Sequence, residues 1–273
     1  MSKYKLVAFD MDGTLLNSKK EIAKDSIHAI QKAVSARKEV ILSTGRGPAE
    51  LTDYICQIPG LRYLDCLSGA MVYDLKEKKI IYSNPLQPEI VKNLLEIAKE
   101  EDTMIHFLTN DSIVQKSDLE NMGHYNMSIY KSMFEKITQT YENIYETYHQ
   151  NPFPVAKLNI YHTSTDSRRK TEERIKQSGL AVSMVYSEFS SLEVSAQGVN
   201  KGTGLKKLCQ HLGLSIEETI AVGDADNDTD ILKTAGLAVA MGNAKDSIKA
   251  IADVVVSDCD HNGCVEVIQN YLL

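Results

Sequence analysis

Three short apolar runs, each stopping abruptly at a polar residue, constrain this chain more than any other feature. Leu6-Val7-Ala8-Phe9 stops at Asp10, Val40-Ile41-Leu42 at Ser43-Thr44-Gly45-Arg46, and Thr219-Ile220-Ala221-Val222 at Gly223-Asp224. Runs this short and continuously apolar suit strands buried on both faces, as in a parallel sheet. Stretches of helical period separate them. Lys24 to Ala36 places Ile27, Ile30, Ala33 and Val34 on one face, and Pro48 suits the first turn of a helix that shares Leu51, Tyr54 and Ile55. Towards the carboxyl end, 203–212, 227–235 and 244–252 read as helices, with strands at 237–240 and 254–256. This alternation predicts an α/β fold, a Rossmann-like wound parallel sheet. Ligands bind such sheets beyond the carboxyl ends of the strands, so Asp10, Thr44 and Asp224 are expected to face one crevice.

The middle of the chain reads differently. Eight of the 13 tyrosines lie between Tyr82 and Tyr186, and Pro152-Phe153-Pro154 breaks the pattern. We expect an inserted α+β cap over 84–188, splitting the core domain into 1–83 and 189–273, with hinges near Tyr82 to Asn84 and Glu188 to Leu192. A chain of 273 residues has room for both domains. A net charge of −7 gives no basic field for nucleic acid or an anionic membrane. No apolar run approaches the ~18 residues of a membrane span, and no secretory signal opens the chain. Five cysteines form no CxxC pair and read as reduced thiols of a cytoplasmic protein.

Two acidic segments carry the candidate chemistry. In Asp10-Met11-Asp12-Gly13-Thr14-Leu15 two carboxylates stand two residues apart at a strand end, where one can attack an electrophile while the other moves a proton. Gly13 permits a sharp turn whose amides can cradle an anion. The plain alternative is a loop whose aspartates cap backbone amides. The second segment holds Asp224, Asp226, Asp228 and Asp230, which repel one another unless a cation or hydrogen bonds compensate. Hard oxygen donors suit Mg2+ or Ca2+, but an EF-hand loop fails: its glycine and glutamate positions hold Ile231 and Leu237, or Thr229 and Ala235. An acid-rich helix start is the alternative there, Asp226 and Asp230 above all. Lys201 opens a predicted helix, where a cation calls for a nearby anion. Thr44, Gly45 and Arg46 offer a hydroxyl, an amide and a guanidinium at another strand end.

Together these segments resemble the haloacid dehalogenase-like superfamily in its Cof-type phosphatase branch. DMDGTL at 10–15, STGR at 43–46, NKGTGL at 200–205 and GDADNDTDIL at 223–232 follow the family's order, and Ala240 to Ala244 with Ala252-Asp253 match its usual ending. The resemblance implies that Asp10 is a nucleophile forming an aspartyl phosphate, and that Asp12 is the acid that protonates the leaving alkoxide. It implies Mg2+ held by the Asp10 and Asp224 carboxylates and the Asp12 carbonyl, with Asn227 and Asp228 supporting the metal's waters or the phosphate. Thr44, the Gly45 and Met11 amides and Lys201 would bind phosphoryl oxygens, with Arg46 in support. Ser68-Gly69-Ala70 departs from the family's usual Asn-Gly-Ala. The implied function is a Mg2+-dependent phosphatase of small phosphate monoesters, such as sugar phosphates or phosphorylated cofactor precursors, with no nucleic-acid or membrane partner. The rival readings are a phosphomutase-type phosphotransferase sharing the aspartyl phosphate, and a non-catalytic metal- or phosphometabolite-binding sensor, which the presence of both Asp10 and Asp12 disfavours. In the cap, His106, His124 and Arg168 are polar candidates for specificity, with a surface or core place as the alternative for each.

Overall fold

The computed structural model describes residues 2–273, in two compact units. The chain passes from the first unit to the second between Ser83 and Asn84 and returns between Val199 and Asn200; Gly47–Glu50 also belongs to the second. The opening segments of the first unit form β1 (Leu6–Phe9), β2 (Glu39–Ser43), β3 (Tyr63–Cys66), β4 (Met71–Asp74) and β5 (Lys79–Ser83). The second unit contributes β6 (Thr103–Leu108), β7 (Ser112–Gln115), β8 (Thr138–Tyr141), β9 (Lys157–His162), β10 (Val182–Tyr186) and β11 (Ser191–Ala196). Back in the first unit come β12 (Thr219–Gly223), β13 (Leu237–Ala240) and β14 (Val254–Val255).

The sheet of the first unit runs β14-β13-β12-β1-β2-β3-β4-β5. It is parallel from β14 to β3, and β4 and β5 extend it antiparallel. β1 is wholly buried and central, with Leu6 opposite Glu39 of β2 on one side and Thr219 of β12 on the other. The chain therefore leaves β1 towards one side and returns on the other, which makes a switch point at the carboxyl ends of β1 and β12. Asp10, Thr44 and Asp224 directly follow β1, β2 and β12. The helix Lys201–Leu212 begins where the Asn200 side chain accepts from the Thr203 amide at 2.9 Å and ends at Gly213 in the left-handed region (φ 67°). Its Leu205, Leu208 and Cys209, at helical spacing, pack with Leu6, Ala8, Ile41 and Ala221, and each buried leucine contributes on the order of 2 kcal/mol.

The second unit holds a sheet ordered β10-β11-β9-β6-β7-β8. The helices Pro88–Ala98 and Thr165–Ser178 supply Leu94, Leu95 and Ile175 to a core with Phe107, Leu158, Ile160, Leu192 and Val194. The expected boundary at 188 is corrected by β11. Its residues pair antiparallel with β9 and β10, so the hinge placed at Glu188 to Leu192 falls inside this unit's sheet and the return lies at Val199/Asn200.

His106 and His162 are both fully buried here. His106 bonds Ser112 Oγ at 2.7 Å and the Tyr161 hydroxyl at 3.2 Å; His162 bonds the Ser190 carbonyl at 2.9 Å and Thr171 Oγ1 at 3.0 Å. Burial pushes their pKa values down, to about 3 for His106 and about 4 for His162. A histidine held neutral in the fold but protonated in the unfolded chain below about pH 6.5 contributes stability above that value and loses it on acidification. The second unit is therefore expected to lose about 2 kcal/mol per histidine by pH 5. Thermal melts of wild type and His106→Gln between pH 7.5 and 5 check this: the wild type's acid loss should shrink in the variant, and equal slopes would refute it.

Candidate active site

Asp10 leaves β1 almost fully buried, and three charged groups from distant parts of the sequence meet it. Lys201, 1% exposed on the first turn of its helix, donates to Asp10 Oδ1 at 2.5 Å and to Asp228 Oδ1 at 2.6 Å. Asp228 is wholly buried and its other oxygen accepts from the Asp224 and Ala225 amides at 3.0 and 3.1 Å, which fixes the turn after β12. Asp224 in turn accepts from Thr14 Oγ1 at 2.8 Å. One carboxylate oxygen from each of Asp10, Asp224 and Asp228 lies within 4.8 Å of the others.

Three carboxylates thus share one ammonium, and the pKa values of Asp10 and Asp224 register the surplus. Burial raises Asp10 to about 7, with Lys201 pulling it down and Asp228 and Asp224 pushing it up. Burial likewise raises Asp224 to about 6, opposed by the Thr14 hydroxyl and reinforced by Asp228. Burial lowers a lysine, but Asp10 and Asp228 outweigh it and hold Lys201 firmly protonated.

Gly13 sits at φ 84°, where a side chain is strained, and a Cβ there would lie 2.4 Å from Asp224 Oδ2. Glycine is therefore what lets the β1 turn approach the β12 turn this closely. The Asn243 amide group donates to the Gly13 carbonyl at 2.8 Å and holds the turn from outside.

The Asp12 side chain does not join the carboxylate cluster. Arg46 grips it through two nitrogens at 2.9 to 3.1 Å and Lys20 adds a contact at 2.8 Å. Burial would raise its pKa, but these two cations overcome that and hold Asp12 below the usual carboxylate range. Thr44 is buried; its amide donates to the Asp65 carbonyl at 2.8 Å and its carbonyl accepts from Ser68 at 3.0 Å. Leu67 and Ser68 both have positive φ (55° and 58°), and Leu67 donates to the Arg46 carbonyl at 3.1 Å. The segment that departs from Asn-Gly-Ala thus clamps the end of β2 through backbone strained by about 1–3 kcal/mol per residue.

Of the remaining sequence candidates, Met11 is buried in the turn and its carbonyl accepts from the Thr14 and Leu16 amides, while Gly45 lies between Thr44 and Arg46. Asn227 is exposed on the short turn Asp226–Asp228, outside the cluster. Asp226 pairs with Lys245 at the surface. Sequence reasoning missed Thr14, Lys20 and Asn243. Thr14 and Asn243 lie inside the segments quoted for the resemblance, so a role for each could have been sought; no sequence signal marks Lys20. The cap candidates are otherwise engaged: His106 is core, His124 pairs with Asp102 at 2.6 Å, and Arg168 lies over the Tyr186 ring and donates to the Phe189 carbonyl.

A sequence profile of the haloacid dehalogenase-like hydrolases matches residues 7–268. Phosphatase YwpJ of Bacillus subtilis is 28% identical over 286 residues, covering 98% of this chain and all of the relative. Pyridoxal phosphate phosphatase YbhA of Escherichia coli is 25% identical, covering 98% of this chain and 99% of its own. Among solved structures, a haloacid dehalogenase-like hydrolase from Bacteroides thetaiotaomicron superposes with a TM-score of 0.85 at 27% identity, over 97% of this chain and 98% of that one. With the matched profile running from β1 to the last helix, the chain belongs to the haloacid dehalogenase-like hydrolase family.

Proposed function

We propose that the chain is a Mg2+-dependent phosphatase of small phosphate monoesters that works through a phosphorylated Asp10. The observation that carries this reading is the convergence of Asp10, Asp224 and Asp228 beside Lys201 at the switch point of the sheet. The donor set suits a hard divalent cation: it is all oxygen, and its negative charge exceeds what one lysine balances. The Asp10 and Asp224 carboxylates and the Asp12 carbonyl would hold Mg2+, which when bound neutralises charge on the phosphoryl oxygens.

In the proposed reaction an Asp10 oxygen bonds to phosphorus as the ester P–O bond breaks, and the departing alkoxide takes a proton from Asp12. Water then attacks the phosphorus of the aspartyl phosphate, Asp12 accepts its proton, and inorganic phosphate leaves with the Asp10 carboxylate restored. Asp12 is held as a carboxylate by Arg46 and Lys20, so it serves as an acid only once those pairs open. Lys201, the Thr44 hydroxyl and the Met11 and Gly45 amides receive phosphoryl oxygens. Asp228 orients Lys201 and the turn after β12, and Asn227 acts from the rim. The second unit is the specificity cap in this reading. The Escherichia coli relative is named for pyridoxal phosphate, which supports phosphorylated cofactors or their precursors as one substrate class. The cysteines form no disulfide among the described residues, which suits the cytoplasm, and no helix among the described residues is long and apolar enough to cross a membrane.

A panel of phosphorylated metabolites assayed for phosphate release, with Mg2+ and with EDTA, tests the reading. At least one small monoester should be hydrolysed in Mg2+ and none in EDTA. Isomer formation in place of release would make the chain a mutase, and Mg2+-dependent binding without turnover across the panel would make it a sensor.

A further inference from the structure

Asp65 lies on β3, beside β2 and two strands from β1, and is wholly buried. It stands opposite Ser43 in the sheet register, and Ser43 Oγ donates to its Oδ2 at 2.6 Å. Its backbone carbonyl accepts from the Thr44 amide at 2.8 Å. The carboxyl then reaches to the first turn of the Lys201 helix. A Cβ on Gly204 would lie 1.8 Å from Asp65 Oδ1 and 2.5 Å from its Cγ, so the acid rests on bare helix backbone. Oδ1 has no hydrogen-bond partner among the described residues. A buried polar atom left without a partner costs about 1–3 kcal/mol, and an apolar residue on a buried strand avoids that cost.

We propose that Asp65 is a positioning residue of the phosphoryl site, its carboxyl joining the Ser43–Thr44 end of β2 to the first turn of the Lys201 helix and so setting the spacing of Thr44 from Lys201. This rests on the phosphatase reading above. Its charge matters as well as its shape. Burial raises its pKa to about 7, against the pull of the Ser43 hydroxyl and the Lys201 charge. The groups facing it are Ser43 from β2 and Lys201 from the helix, and Lys201 already serves Asp10 and Asp228. Ionised Asp65 is a fourth carboxylate sharing one ammonium. As pH rises through 7 the site grows more negative and holds a phosphoryl dianion less well.

The test compares wild type, Asp65→Asn and Asp65→Ala from pH 6 to 8.5 in saturating Mg2+. It reads KM and kcat of phosphate release, and the Kd of inorganic phosphate by calorimetry. Asp65→Ala should raise KM and the phosphate Kd about fivefold or more with a smaller change in kcat. Asp65→Asn should match wild type at pH 6 and show a smaller rise in KM above pH 7 than wild type. Gly204→Ala should lower the melting temperature in the wild-type background and be relieved by Asp65→Ala, since the clash is with that carboxyl. If Asp65→Ala does not fold, Ser43→Ala, which removes only the donor, should give a smaller shift in the same direction. An Asp65→Ala protein that is merely less stable, with both constants unchanged, overturns the proposal; so does an Asp65→Asn protein with the wild-type pH slope. Wild type that hydrolyses no monoester sinks the phosphatase reading instead, while phosphate binding still reports on Asp65.

Discussion

Replacing Asp10 by Asn leaves a folded protein whose phosphate release falls by at least about a thousandfold. Asn keeps the shape of the side chain and removes the nucleophilic oxygen, so the loss should fall on kcat. Stability should move differently. The folded-state pKa of Asp10, about 7, lies above its unfolded value, so the fold disfavours its ionised form and loses stability progressively as pH rises from about 4 to 7, the loss being complete above 7. The amide removes that cost. Lys201 keeps Asp228 as a partner at 2.6 Å and is not stranded. At pH 8 without metal the variant should melt no lower than wild type, and any advantage should shrink on acidification below pH 7 and vanish near pH 4, where Asp10 is protonated in both the folded and unfolded states. Mg2+ should raise its melting temperature less than it raises that of wild type, because one donor carboxylate is gone. Phosphate-release kinetics and melts with and without EDTA read all three. Turnover within tenfold of wild type would remove Asp10 as nucleophile.

The strand ends were legible because β1, β2 and β12 are buried on both faces, so their apolar runs are unbroken and the first polar residue marks the rim. β3 was not, since Asp65 interrupts Tyr63-Leu64-Asp65-Cys66 although it is as buried as its neighbours. β11 was hidden by its alternation: Leu192 and Val194 face the core of the second unit while Ser191, Glu193 and Ser195 face the other side, so no continuous apolar run marks it and the hinge expected at Glu188 to Leu192 overlaps its start. At the site, the reading that a lysine at a helix start wants an anion led to Lys201, which meets two. The reading of the second acidic segment as a helix start holds for exposed Asp226, whereas Asp228 is buried against Lys201. The pairing of Asp12 with Arg46 and Lys20 was out of reach, because it depends on where two loops return in space.

Lys201→Met should be the most damaging single change to stability in the first unit at neutral pH. The side chain is 1% exposed, and its ammonium is the nearest compensating charge for Asp10 and Asp228. Met fills similar volume, so packing is nearly kept and the loss is electrostatic. Stripping the cation from a buried ion pair costs about 3–5 kcal/mol, because the stranded charges cannot return to water. The carboxylates will answer by holding protons to higher pH. The folded-state pKa values of Asp10 and Asp224, already above their unfolded values, rise further, so the variant is weakest above pH 7 and recovers as pH falls towards 5. Denaturant melts across that range should show a deficit that narrows with acidification, and Mg2+ at pH 7.5 should restore part of it by supplying the missing positive charge. Arg in place of Lys should not rescue, since a planar fork cannot occupy a site shaped around one nitrogen 2.5 and 2.6 Å from two oxygens. Activity should fall at least about a hundredfold, the order lost when one preorganised charge at a phosphoryl group is removed. A Met variant with a pH-independent deficit would mean that Lys201 serves packing and not charge.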